Sequence, residues 1–250
     1  MEFDFHGRSA VVTGASSGIG VAAARMLAAS GADLVLVGRD ESRLQATAKA
    51  VTDLGRRALT AAVDLAEDSA ADEVARTASG LGGLDVLVHC AALFETGNLA
   101  EAEVESIDRM WRVNARAPIL LTRALLPQLR ERSAIVLVSS TVAHAGFAGC
   151  AAYSATKGAL EAFCRSLAIE LAPRTRVNVL APGFVDTPML TNQYAGAPEL
   201  GSWVESQTPL GFIGSAEDLA TSILYLASEE TGRYLTGTTL VCDGGWIAKG

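Results

Sequence analysis

Tyr153 and Lys157 stand four residues apart in Ala152-Tyr153-Ser154-Ala155-Thr156-Lys157, near the start of a segment with helical period. That spacing puts both side chains on one helix face, one turn apart. An ammonium beside a phenol favours the phenolate, which brings a hydroxyl with an ordinary pKa of about 10 toward proton transfer near neutrality. Tyr and Lys are also common on helix surfaces, so the pair gains meaning only from its surroundings. Ser139 and Ser140 close an apolar run that reads as a strand, at the sheet edge where open α/β folds bind ligands. A hydroxyl there can hydrogen-bond a carbonyl oxygen, or simply close the strand. No Gly-x-Ser-x-Gly elbow surrounds either serine, so neither reads as an esterase nucleophile.

A second constellation follows the first apolar run. Thr13-Gly14-Ala15-Ser16-Ser17-Gly18-Ile19-Gly20 spaces its glycines Gly-x-x-x-Gly-x-Gly between a strand and a helix. Glycine permits a tight turn and close approach of a diphosphate, and the free amides and positive end of the next helix attract its charge. No Gly-Lys-Ser/Thr follows, so a P-loop is not supported. At the end of the second apolar run, where an acid would bond a free ribose 2′-hydroxyl, the chain has Gly38 and Arg39. A guanidinium beside a small residue suits a 2′-phosphate, which points to NADP(H) in preference to NAD(H). Asp40 is better placed to cap the following helix.

These groups need a scaffold that brings them together. Apolar runs at 10–13, 33–37, 59–64, 86–91, 135–139, 177–181 and 239–241 read as strands covered on both faces. Helical segments fall between them at 20–30, 41–54, 69–81, 103–113 continuing after a break toward 132, 152–171 and 216–227. The alternation predicts an α/β fold: one Rossmann-type, doubly wound domain over 1–250, its seven-stranded parallel sheet flanked by helices. The stretch 183–214, rich in proline and glycine and including Pro188, Pro198 and Pro209, is expected to cover a ligand.

The 250 residues are 50% hydrophobic and 19% charged, which excludes disorder and collagen. The net charge of −8 offers no attraction to nucleic acid or anionic lipid. No apolar run reaches membrane-span length and no export signal is visible, so a soluble, cytoplasmic protein is expected. Cys90, Cys150, Cys164 and Cys242 show no paired spacing, so no metal site is expected.

Taken together with Asn114, Pro182-Gly183 and Asp243-Gly244-Gly245, these motifs resemble the short-chain dehydrogenase/reductase family, from near Gly7 to Trp246, most closely in style its 3-oxoacyl-thioester reductases and ketoreductases. The resemblance implies Tyr153 as general acid/base, Lys157 holding the nicotinamide ribose, Ser140 orienting the carbonyl and Asn114 holding a relay water. It implies cofactor contacts from Gly14, Ser16, Ser17, Gly18, Ile19, Gly20, Arg39, Asp64 (on the adenine), Ala91, Pro182, Gly183, Val185 and Thr187, together with Tyr153 and Lys157. It places His144 beside the substrate pocket. Phe184 and Met189, with Phe147, Leu190, Tyr194 and Trp203, would form an apolar wall there or pack the loop onto the body. A homotetramer acting on a small ketone or secondary alcohol is the implied state. Against the family's Asn-Asn-Ala-Gly, the chain reads His89-Cys90-Ala91-Ala92. Loss of a strand-linking amide and of a glycine is expected to weaken cofactor binding or local stability, and it leaves a catalytically silent dinucleotide-binding module as the rival reading.

Overall fold

The computed structural model describes residues 3–194 and 199–249, with Gln193, Tyr194 and Leu200 described as backbone only. Pro198 and the Tyr194 side chain, both assigned to the substrate loop above, therefore lie outside the described residues. In chain order the elements are β1 (Ser9–Thr13), α1 (Gly18–Ala29), β2 (Asp33–Gly38), α2 (Glu41–Asp53), β3 (Ala58–Ala62), α3 (Ala70–Ser79) and β4 (Leu84–His89). There follow α4 (Val104–Trp111), α5 (Ala117–Leu125), β5 (Leu129–Val138), α6 (Ala151–Leu171), β6 (Thr175–Pro182), α7 (Pro188–Tyr194), α8 (Glu199–Gln207), α9 (Ala216–Ala227) and β7 (Thr239–Cys242).

The seven strands pair in the order β3-β2-β1-β4-β5-β6-β7, and every pair is parallel. The order reverses between β1 and β4, which opens a crevice at the strands' carboxyl ends. Successive strand residues point to opposite faces. Val12, Leu36 and Val88 pack toward α1 and α9, whereas Val11, Val35 and Leu87 pack toward α3, α5 and α6. Both faces are covered, which is why these strands read as unbroken apolar runs rather than alternating ones. At the head of α2, Asp40 accepts from the Arg43 amide at 3.0 Å, the capping role its position implied.

The helical reading of 103–132 holds as far as Leu125 and fails beyond it. Helix α4 runs into a π turn, Arg112–Arg116, then α5 ends at Leu125 and β5 begins at Leu129. The charged run Arg130-Glu131-Arg132 belongs to a strand, not a helix, because ion pairs at the sheet's amino-terminal edge support it. Arg132, at φ 63°, bonds Glu229 at 2.7 Å. Arg130 bonds the buried carboxylate of Asp85 at 2.6 Å, and Asp85 also accepts from Arg8 at 2.9 Å and from the Ser9 amide at 2.9 Å. Asp85 thus ties β1, β4 and β5 together at the edge away from the crevice. No helix among the described residues is long and apolar enough to cross a membrane.

Removing the Asp85 carboxylate leaves two guanidinium groups and an amide without their shared acceptor. Asp85→Ala is expected to lower unfolding free energy by about 3 kcal/mol. Urea unfolding should show the midpoint falling at unchanged slope; an unshifted midpoint would remove this structural role.

Candidate active site

A cleft of about 310 Å³ follows the carboxyl ends of the strands, from Arg39 and Asp64, past the glycine turn, to Ser140, Tyr153 and Lys157 and on to Phe184 and Trp246. Tyr153 and Lys157 come from the first turns of α6 and are both buried. The Lys157 Nζ lies 5.5 Å from the Tyr153 ring centroid and donates to the Val138 carbonyl at 2.9 Å. Ser140 follows β5 and opens a short 3-10 turn, Thr141–Ala143, where its Oγ accepts from the Val142 amide.

The expected lowering of the phenol's pKa does not hold in this geometry. Burial, and next the Cys150 thiol one turn earlier, push Tyr153 above its ordinary value, while the Ser140 hydroxyl pulls the other way. Burial brings Lys157 down to about 8, with Cys90 opposing. The lysine spends its hydrogen bond on the Val138 carbonyl, so desolvation decides the sign. At neutral pH the site therefore presents a neutral phenol beside a lysine that is still protonated.

The glycine turn fits a diphosphate. Gly14 has φ +70°, and a Cβ there would meet the Ala91 amide at 2.9 Å; one on Gly20 would meet the Gly14 carbonyl at 2.3 Å. Ser17 at the head of α1 makes no side-chain cap, which leaves the first helix amides for an anion. Ser16, Gly18, Ile19, Ala91, Pro182, Gly183, Val185 and Thr187 line the same cleft. Asp64 stands at its far end. Burial opposes its charge, but the Ala66 amide at 3.0 Å and Arg109 at 2.6 Å hold its carboxyl below the usual range.

Two candidates are placed differently from expectation. His144 does not line the cleft: its Nε2 lies 2.9 Å from Glu161 Oε1, which also accepts from Ser139 Oγ at 3.1 Å. The α-helical spacing that sets Lys157 four residues after Tyr153 sets Glu161 four residues later still, and that buried carboxylate draws the imidazole away from a substrate. Asn114 is fully buried in the π turn, and its amide is taken up by Leu93 and, through Nδ2 at 3.2 Å, by Thr156 Oγ1. Oδ1 accepts from the Leu93 amide at 2.7 Å and Nδ2 donates to the Leu93 carbonyl at 2.8 Å. It anchors the segment after β4 and does not line the cleft.

Phe147, Phe184, Met189 and Leu190 line the cleft, whereas Trp203 stands behind Phe147 and Phe184 at centroid distances of 6.5 and 6.4 Å. Sequence reasoning missed Phe94, whose ring meets Tyr153 edge-on at 4.7 Å, and Trp246. Trp246 directly follows Asp243-Gly244-Gly245, and Gly183 packs so closely on Asp243 that a Cβ would come within 2.7 Å of it.

The altered segment after β4 is tied to β1: Thr13 Oγ1 accepts from the amides of Cys90 and Ala91, each at 3.1 Å. His89 Nε2 lies 3.0 Å from Thr122 Oγ1. Arg132 is the one positive-φ residue other than glycine among the described residues, so Ala92 bears no left-handed backbone.

A family model described as Enoyl-(Acyl carrier protein) reductase matches residues 14–247. The chain belongs to the short-chain dehydrogenase/reductase family. A short-chain dehydrogenase from Burkholderia cenocepacia, solved in complex with NADP, is 36% identical, superposes with a TM-score of 0.91, and the match covers 97% of this chain and 99% of that one. The 2,5-dichloro-2,5-cyclohexadiene-1,4-diol dehydrogenase LinX of Sphingobium indicum is 32% identical over 96% of each chain. Tropinone reductase-like 3 of Erythroxylum coca is also 32% identical, over 96% of this chain and 93% of its own length.

Burial brings His89 down to about 3. Between that value and the ordinary 6.5 the unfolded chain binds the proton and the folded one does not, so stability is lost as pH falls through this window, by about 1.4 kcal/mol per unit. From pH 7.5 to pH 5.0, urea unfolding should show the wild type losing about 2 kcal/mol more than His89→Asn. Equal losses would refute this assignment.

Proposed function

We propose that the chain is a ketoreductase that transfers hydride between NADP(H) and a ketone or secondary alcohol. The observation that carries this reading is the meeting of Ser140, Tyr153 and Lys157 in one cleft with an uncapped glycine turn at its other end. NADP(H), when bound, supplies or accepts hydride at its nicotinamide ring. Lys157 would hold the nicotinamide ribose, and Ser140 would donate to the substrate oxygen and orient it. Tyr153, kept as a neutral phenol by burial, gives its proton to that oxygen as the carbonyl carbon is reduced. Asn114 is a positioning residue: by pinning Leu93 it sets the wall facing Tyr153.

Arg39 supports NADP(H) over NAD(H). It is exposed at the adenosine end of the cleft, beside Gly38, where a Cβ would press on Ser16 Oγ at 3.0 Å. The neighbour from Burkholderia cenocepacia binds NADP, and a metagenomic neighbour of 34% identity was solved with NADPH. The names of the diol dehydrogenase and the tropinone reductase-like relative support a secondary alcohol or ketone over a non-catalytic module. We read the chain as one cytoplasmic domain that forms a homotetramer. Val104 and Trp111 on α4 and Ile119 on α5, all exposed, supply apolar surface for association.

Tyr153→Phe should lower the turnover of ketone about 1,000-fold while NADPH still binds. Arg39→Ala should raise the Kd for NADPH about tenfold and leave that for NADH unchanged. Stopped-flow reduction and fluorescence titration read the two effects; full activity in Tyr153→Phe would end the proposal.

A further inference from the structure

The cleft is divided chemically. Among the described residues its charged lining side chains are Arg39, Asp64 and Lys157, two at the adenosine end and one beside Tyr153. Beyond Tyr153 the walls are apolar and largely aromatic. Phe147 is the hub, with ring centroids 6.2 Å from Phe184, 6.1 Å from Trp246 and 6.5 Å from Trp203. Phe184 meets Trp246 at 5.5 Å and 89°, edge to face. The rings come from four separate stretches: the segment after β5, the turn after β6, α8 and the last turn of the chain. Three of the four line the cleft and stay partly exposed to it, while Trp203, 42% exposed, backs them from outside. A cluster that only pinned loops would need no open ring surface beside the proposed proton donor.

We propose that this aromatic cage selects an uncharged, ring-bearing ketone or alcohol, with Trp246 as a specificity-determining residue. This rests on the hydride-transfer reading given above. A flat apolar ring gains edge and face contacts from Phe147, Phe184 and Trp246, with the Phe94 ring standing against Tyr153 on the same cleft. A carboxylate or the diphosphate arm of a coenzyme A thioester finds no cation among the described residues of that half, so it would lose its water without a partner. The overall charge of −8 adds repulsion against an anionic substrate or an acidic carrier protein. The cage therefore disfavours the thioester substrates that the resemblance to 3-oxoacyl-thioester reductases suggests.

The test uses the whole protein with NADPH and four probes: tetralone as a bicyclic aryl ketone, butanone, levulinate and acetoacetyl-CoA. The expected result is a kcat/KM for tetralone at least about tenfold above that for the two anionic probes. Trp246→Ala should lower the tetralone-to-butanone ratio of kcat/KM about tenfold, through KM, and Trp246→Phe should recover most of it. Thermal unfolding of each variant separates a lost contact from a lost fold. Preference for acetoacetyl-CoA or levulinate, or an unmoved ratio in a folded Trp246→Ala, would overturn the cage while leaving hydride transfer intact. If no probe turns over, quenching of tryptophan fluorescence by tetralone in the presence of NADPH decides: saturable quenching keeps the cage and removes the ketoreductase reading, and its absence removes the cage too.

Discussion

A lysine ammonium held inside the molecule is the constraint to which the other parts of the site conform. Lys157 is 2% exposed and donates to one peptide oxygen, that of Val138 at the end of β5. Burying such a group is expensive unless its partners are fixed, and its depressed pKa records the strain on the charged form. The arrangement needs β5 to stop at Val138 and α6 to start close enough for its second turn to reach back. Once that is so, Tyr153 lies one turn before Lys157 and Glu161 one turn after, with the carboxylate bonded to Ser139 next to Ser140. A helix packed on a sheet ordinarily carries an apolar stripe at this period. Here Leu160, Cys164 and Leu167 provide it, and a parallel line of polar, buried side chains runs beside it.

The cleft joins two environments that the sheet alone would not create. At one end, the glycine turn and the uncapped start of α1 leave backbone amides facing open space, which suits a polyanion and little else. At the other, aromatic rings from the segments after β5 and β6 and from the last turn exclude charge. Tyr153 sits at the boundary, with Phe94 against its ring. Its raised pKa follows from being on the dry side of that boundary.

The segment His89-Cys90-Ala91-Ala92 is held in place by hydroxyls from two other elements. The Thr13 hydroxyl holds the end of β4 to β1 beneath the glycine turn by accepting two amides. The imidazole of His89 takes a threonine hydroxyl on α5 as its partner, at the expense of being forced neutral. That link is invisible in the local sequence, because Thr13 lies more than seventy positions before the amides it accepts.

The chain by itself determined the alternation of strands and helices, the glycine turn, the Asp40 cap and the one-turn spacing of Tyr153 and Lys157. Those features are local: periodicity, backbone freedom and helical pitch are properties of neighbouring residues. It misled over 129–132, where Arg130-Glu131-Arg132 looks unlike a strand until Asp85 and Glu229 arrive from distant segments to pair with the arginines. Only the tertiary structure decided that His144 faces Glu161, that Asn114 is taken up by Leu93 and Thr156, that burial outweighs the Ser140 hydroxyl at Tyr153, and that Phe94 and Trp246 complete the wall. Each of these depends on which segments the sheet order sets side by side and on how completely they exclude water, and neither quantity is carried by any short stretch of sequence.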